Sequence, residues 1–467
     1  PPLLFWSSSI TMKKIVLVIL IISALLIPGC SQSKREETEN KVDDESIQRE
    51  LTNTDNIIKS YLARIKLDPY SYSSYTKLGE AYIQKARETG DTAYYDKAEE
   101  ALKKALELYP DSYATIVFLG QVSSSKHDFQ SALYYAEKAV KLKPEDSYAY
   151  GILGDAYIEL GEYDEAERAY EKMLSLSPDF YSCSRLSYIK ELRGDTEGAV
   201  QTMQKAIDYG TKQRLPEENM AWAHYILGEM YFNQGELKKA EEHYRKSLNK
   251  YENYYYALAG LGKVKAGQKK YEEAIELYNK AVAIVPLPIF ISSLGEIYEK
   301  TGNMKEAKKQ YDLVEYIGLL SEVNKVIYNR ELALFYADRD VKLDKALDLA
   351  SRELKAKKDI YSYDTLAWVY YKKNQLEEAL DVSQKSLSLG TKDAKLHYHA
   401  GMIHYKLGEM GKAKDHLSQA LSINPYFHVI YSDVAANTLK DNRKRNFICE
   451  KGVTGVMNKK LRVESYE

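Results

Sequence analysis

Between about residue 55 and residue 426, apolar positions recur in steps of three and four, in short segments parted by Gly- or Pro-bearing turns. That spacing predicts a run of short amphipathic helices and no strands. The segments come in pairs with one layout. The clearest pair reads Tyr150, Leu153-Gly154, Tyr157, a turn at Gly161, then Ala166, Tyr170 and Pro178. Pro110, Pro144 and Pro178 stand 34 residues apart, each closing one pair. Small residues at the crossing let two helices approach, and the large residues beside them fill the gaps.

The layout repeats along the chain. It appears at Leu78-Gly79 with Ala98, at Leu119-Gly120 with Ala132, and at Leu153-Gly154 with Ala166. A degraded copy follows at Leu186-Ser187 with Ala199, where Ser stands for Gly. Then come Leu227-Gly228 with Ala240, Leu261-Gly262 with Ala274, and Leu294-Gly295 with Ala307. The last three, Leu332-Ala333, Leu366-Ala367 and Ala400-Gly401, often carry Ala in place of Gly. Extra residues near Gly90 enlarge the first pair. The stretch from Tyr209 to Pro216 is expected to be a longer loop, and Val314 to Asn329 an extended helix plus a turn.

A period of 34 residues with these motifs resembles the tetratricopeptide repeat (TPR), and the resemblance covers about residues 55–426. It implies an all-α fold: a right-handed α-solenoid of about ten helix-turn-helix repeats, assigned to residues 51–426. The first helix of each repeat would line a concave face that holds a protein or peptide ligand. Residues 427–440, with Phe427, Ile430, Val434 and Ala435 on helical spacing, are expected to form a capping helix. The basic stretch 441–467 is expected to be a disordered tail, its charges solvated.

The front of the chain has a different pattern. Residues 1–11 precede the first methionine, Met12, and are read as translated upstream sequence. Residues 12–29 hold Lys13 and Lys14, an apolar run from Ile15 to Ile27, then Pro28-Gly29. That is the layout of a secretory signal, and the run is too short to span a bilayer. Ile27-Pro28-Gly29-Cys30 resembles the bacterial lipoprotein lipobox, although Pro28 is uncommon at its place. The resemblance implies acylation of Cys30 and a lipid anchor in the cell envelope, facing the periplasm or the outside. An ordinary signal peptide and an uncleaved signal anchor are the alternatives. Residues 30–50 carry almost no apolar side chain and read as a flexible charged tether.

Composition adds little. The formal net charge of −2 gives no reason to expect nucleic acid as a partner. Cys30, Cys183 and Cys449 are too few and too scattered for a disulfide framework, and Cys183 reads as a small helix residue. Tyrosine is abundant, 42 against 9 Phe, so its role must lie in the repeats.

The TPR resemblance places an aromatic series on the concave face: Tyr148, Tyr181, Tyr188, Trp222, Tyr225, Phe232, Tyr256, Tyr361, Trp368, Tyr371, Tyr398 and Tyr405. Alternating with them are Glu80, Asp155, Glu159, Glu229, Glu296, Glu299 and Asp364. Tyr and Trp bring large area with few rotatable bonds, which favours a partner-binding groove. The alternatives are rings packed on the next repeat and carboxylates solvated on helix faces. A cell-wall glycan or polysaccharide could also stack on flat rings. Lys263, Lys300, Arg330, Lys372 and Lys406 are too dispersed for a carboxylate clamp. His397 and His404 lie two helical turns apart, about 10 Å, too far for one ion, so no metal site is expected. Gly408-Glu-Met-Gly411-Lys412 lacks the spacing of a phosphate loop. No catalytic motif and no cofactor site emerge, so an enzyme is not expected.

Overall fold

The computed structural model describes residues 44–89, 91–323 and 330–440, and among them every regular element is a helix. The expected upstream residues, signal, Cys30 and tail at 441–467 lie outside the described residues. The chain divides into two compact units, one ending at Ser177 and the other beginning at Pro178.

In the first unit, α1 (Asp44–Leu67) begins inside the stretch read as a tether. Three helix pairs follow: α2 (Tyr72–Thr89) with α3 (Ala93–Leu108), α4 (Tyr113–Ser125) with α5 (Phe129–Leu142), and α6 (Ser147–Leu160) with α7 (Tyr163–Leu176). The second unit opens with α8 (Phe180–Leu192) and α9 (Thr196–Gln213), then α10 (Glu217–Asn233) and α11 (Leu237–Lys250). Next are α12 (Tyr255–Gly267) with α13 (Tyr271–Ile284), and α14 (Pro288–Lys300) with α15 (Met304–Val323). Then come α16 (Arg330–Asp338) with α17 (Leu343–Ala356), α18 (Ile360–Lys372) with α19 (Leu376–Ser386), and α20 (Ala394–Lys406) with α21 (Met410–Ile423). After a non-helical stretch, residues 431–440 form α22. The architecture is an all-α solenoid of ten helix pairs.

The first helix of a pair is a sandwiched layer. In α6, buried residues surround the helix, including Ala149, Ile152, Gly154, Ala156 and Ile158. In α7 they form one stripe, Ala166, Ala169, Tyr170 and Met173, the signature of an outer helix with one wet face. Asp side chains cap several inner helices. Asp179 accepts from the Ser182 backbone N–H at 2.8 Å while Ser182 Oγ receives the Asp179 N–H. Such a capping box contributes about 1 kcal/mol.

The Leu-Gly motif has a direct steric cause. The residue four positions after the second-helix Ala rests on the Gly. A Cβ on Gly79 would lie 2.5 Å from Leu102 Cγ, and one on Gly228 would lie 2.7 Å from the Tyr244 ring. Gly154 faces Tyr170 and Gly295 faces Tyr311 in the same manner. Where the fourth residue is small, as with Ala350 and Ser383, Ala333 and Ala367 replace the Gly. In the degraded repeat Ser187 takes the Gly position, and its hydroxyl donates to the Ala199 carbonyl at 2.6 Å. The residue opposite in register is there a Met, Met203.

Two local readings change. The stretch from Tyr209 to Pro216 is not a long loop: α9 runs through Tyr209 to Gln213, and α10 starts at Glu217 directly after Pro216. The residues read as one capping helix, 427–440, split instead: 427–430 belong to a non-helical strap, 424–430, and 431–440 form α22.

Candidate functional site

The first helices of the second unit, α8 to α20, turn their aromatic faces inward. This unit curls back on itself. The α8–α9 turn at Gly194 abuts Gly390 in the loop before α20, leaving no room for a Cβ on Gly194. Asn233 of α10 donates to Glu191 of α8 at 3.3 Å.

The segment after α21 runs across that inner face. Asn424 is buried, and its side-chain amide donates to the Phe232 carbonyl at 2.8 Å, 192 residues away. Tyr426 lies on Gly267, where an added Cβ would come 3.2 Å from the Tyr426 Cβ. The His428 ring faces Glu296 at 3.3 Å. The Tyr431 phenol donates to Asp338 Oδ1 at 2.7 Å, and the Trp368 indole N–H donates to the same oxygen at 2.6 Å. Asp433 pairs with Lys300 of α14. Tyr431 stacks on Tyr398, with ring centroids 4.9 Å apart. Burial pushes the Asp338 carboxyl upward, but Lys395, His428 and the Tyr431 hydroxyl outweigh it and hold the group below its ordinary value. A cavity of about 130 Å³ remains between the segment and the wall, with Phe232, Tyr278, Ser293, Glu296 and His428 in its lining.

The aromatic series lies as follows. Tyr148, in the first unit, is exposed. Tyr181, Tyr188, Trp222, Tyr225, Tyr256, Tyr361, Tyr371 and Tyr405 are half-buried. Phe232, Asp364, Trp368 and Tyr398 are buried, so they offer no open surface, contrary to their expected place on an exposed face. Trp368 is the clearest correction, at 1% exposure. Its indole stacks on Tyr371 at 4.7 Å and on His399 at 4.1 Å, and Tyr431 closes its edge. Asp364 turns both oxygens to Nδ1 of the fully buried His399 at 2.9 Å. Further along the inner face, Tyr225 lies 5.3 Å from Tyr256 and 5.9 Å from Tyr254. Trp222 meets Phe180 edge-on at 5.9 Å.

Five of the seven carboxylates, Asp155, Glu229, Glu296, Glu299 and Asp364, are internal partners rather than solvated charges. Asp155 accepts from the Tyr170 phenol and Glu299 from the Tyr311 phenol, both at 2.9 Å. Glu229 accepts from the Tyr244 phenol and from Lys263 at 2.6 Å. Each acid thus anchors the tyrosine that rests on the neighbouring Gly. Glu80 pairs with Lys77 at the surface, and Glu159 is buried. The dispersed cations are also engaged: Lys372 with Asp340 at 2.9 Å, Lys406 with the Tyr371 carbonyl at 3.3 Å, and Arg330 near Asp359 at 3.9 Å.

His397, His416 and His404 form a row of packed rings, 5.5 and 5.4 Å between centroids. Burial depresses His397, and burial with the neighbouring His397 depresses His416 to about 4, so these two rings are neutral at ordinary pH. Among the described residues, no group of three or more His, Cys, Asp or Glu is arranged to hold a metal. The Cys183 thiol is buried, and burial pushes its pKa up.

Models of the tetratricopeptide repeat match residues 72–112, 125–185, 219–286, 292–317 and 394–427. The chain is a tetratricopeptide-repeat protein. This TPR chain is 26% identical over 267 residues to a TPR repeat-containing protein of Methanocaldococcus jannaschii, covering 54% of this chain and 46% of that one. It thus spans under half the length of that relative. A TPR repeat-containing protein of Bacillus subtilis is 23% identical over 378 residues, covering 72% of this chain and 86% of its own. Among solved structures, yeast Tom70 is similar at 13% identity and a TM-score of 0.37, covering 89% of this chain and 98% of its own.

Asp338, His428, Tyr431 and Asn424 were not among the residues singled out in the sequence. The signal for Asp338 was present: it stands two residues after Tyr336, as Glu159 stands two after Tyr157. The signal for the strap was Asn424-Pro425, a pair that favours a turn and breaks the helix.

Proposed function

We propose that this TPR protein is a lipid-anchored scaffold of the bacterial cell envelope, holding a protein or peptide partner against its inner aromatic face. The observation that carries this reading is the seating of residues 424–430, a non-helical stretch, across α10, α12 and α14. A face that receives one such stretch through ring contacts, a backbone carbonyl and a carboxylate is chemically equipped to receive another. The mechanism is passive: a preformed wall loses little ordering entropy on its own side when it docks a guest.

Cys30 is the proposed acylation site and residues beyond it the tether, so that the repeats stand clear of the membrane. Stable anchoring needs more than one acyl chain, at about 0.8 kcal/mol per buried methylene. Two experiments test the reading. Fractionation of cells expressing Cys30→Ser should move the protein from membrane to soluble fraction, and unchanged membrane association would point to a signal anchor. A photo-crosslinking residue in place of the half-buried Tyr256 of α12 should capture a discrete protein in intact cells. Capture of wall polysaccharide alone would replace the scaffold by a glycan receptor.

A further inference from the structure

We propose that the strap and α22 are an exchangeable occupant of the second unit's inner face, and that a partner segment of matching chemistry binds there by displacing them. The inference rests on the scaffold reading and names the chemistry of its guest. The occupant is read from the seat. It presents a hydroxyl or amide donor to Asp338, a ring against Tyr398 and Trp368, a cation or donor toward Glu296, and a carboxylate toward Lys300. In the resident copy these are Tyr431, His428 and Asp433, spaced as aromatic Phe427, His428, two residues, Tyr431, one residue, Asp433. The partner is therefore a protein segment carrying an aromatic–donor–aromatic–acid pattern at the spacing of Phe427, His428, Tyr431 and Asp433, its first part non-helical.

Three observations separate a removable occupant from a part of the core. The segment meets the wall through single side chains, and it lies less close where it rests on glycine: an added Cβ would meet it at 3.3 Å on Gly235 and 3.2 Å on Gly267, against 2.5 Å on Gly79 and 2.7 Å on Gly228 within the repeats. Between residues 424 and 440 only Asn424, Tyr431 and Ala435 are buried, and Asp433 is mostly exposed although it is paired. The fit is not flush: a half-open cleft of about 130 Å³ runs beside His428 and Glu296 and leaves part of the wall uncovered. A segment tethered to its own seat competes at an effective concentration in the millimolar range, so it masks the site until a better-fitting segment arrives.

The test uses the full chain and a fluorescent synthetic peptide of residues 424–440. In wild type the tethered copy competes, and the peptide should bind weakly. In the double variant Tyr431→Ala/Asp433→Ala, which keeps the wall intact, peptide affinity should rise by about tenfold or more, because the open state is no longer a minor fraction. Adding Asp338→Ala and Lys300→Glu should abolish the gain. Hydrogen exchange on wild type supplies the second measurement: amides of 431–440 should exchange through a smaller opening than those of α12 and α18. Three results overturn the proposal: unchanged peptide affinity in a double variant with native helicity, exchange of 431–440 only with global unfolding, or loss of helicity in the double variant. If Tyr256 crosslinks in cells still capture a protein while exchange fails, this inference falls alone. If the peptide exchanges but no protein is captured, the scaffold reading falls instead.

Discussion

The Tyr431 phenol donates to Asp338 across 93 residues of chain, at 2.7 Å. The same carboxylate oxygen takes the Trp368 indole N–H, so one half-buried acid joins the repeat wall to the segment lying on it. Removing one donor leaves the carboxylate held by the other. Tyr431→Phe should therefore lower the local opening free energy of 431–440 by about 1–2 kcal/mol. Amide exchange in α12 should not change. Equal loss at both places would mean that the segment and the repeats open as a single unit.

Gly154 and Gly120 occupy the same motif position with different neighbours. Gly154 lies under the Tyr170 ring, whereas a Cβ on Gly120 meets only ordinary contacts, the nearest at 3.4 Å from Ile152. Gly154→Ala should destabilise the first unit by about 1–3 kcal/mol through overpacking. Gly120→Ala should be neutral or stabilising by up to about 1 kcal/mol, from helix propensity. Denaturant titration of the two variants checks the pair, and equal costs would refute the ring-on-glycine account.

Trp368 acts as core. Trp368→Ala should cost about 3–5 kcal/mol, the range for deleting a buried aromatic. It also removes a donor from Asp338. Trp222→Ala, at a half-buried position, should cost distinctly less. Thermal unfolding of the two variants decides, and a smaller loss for Trp368→Ala would contradict its burial.

Glu353 of α17 is buried beside Arg330, Lys357, Glu331 and Asp359. Burial pushes its pKa up to about 7, against the pull of Arg330 and Lys357. A carboxyl whose folded value lies above its unfolded value holds more protons when folded. Stability therefore falls as pH rises from about 4.5 to about 7 and is flat above. Glu191, raised to about 7 mainly by burial, adds the same sign. His224 and His243, depressed to about 4 by burial, act oppositely between pH 4 and 6.5. The difference between wild type and Glu353→Gln isolates the acid. The variant should gain on wild type by on the order of 1–3 kcal/mol between pH 4.5 and 7. A difference independent of pH would show that Glu353 does not titrate there.

The helix pairs were legible because their cause is local. Gly79, Gly154 and Gly228 each mark a crossing, and Leu102, Tyr170 and Tyr244 at fixed distance mark what rests there. Even the exception follows, since the register position opposite Ser187 holds Met203 rather than a ring. What the spacing could not show was curvature within the second unit. Reading Trp368, Tyr398 and Asp364 as open surface assumed a hollow face. Their burial depends on Tyr431, Phe427 and His399, and the contact of Trp368 with Tyr431 joins residues far apart in the chain. The same limit hid the carboxylates. Glu299 looks like a surface charge in sequence, yet it takes the Tyr311 phenol and Arg339.

The strap has a consequence for biosynthesis. Ribosomes make it after all ten helix pairs, so the repeats emerge and stack while Asp338, Trp368 and Tyr398 still await their last neighbour. During that interval a nascent chain would present a bare aromatic wall, open to chaperones or to a tail borrowed from an adjacent polysome product. Synthesis of the segment itself, rather than any modification, would then be the event that closes it.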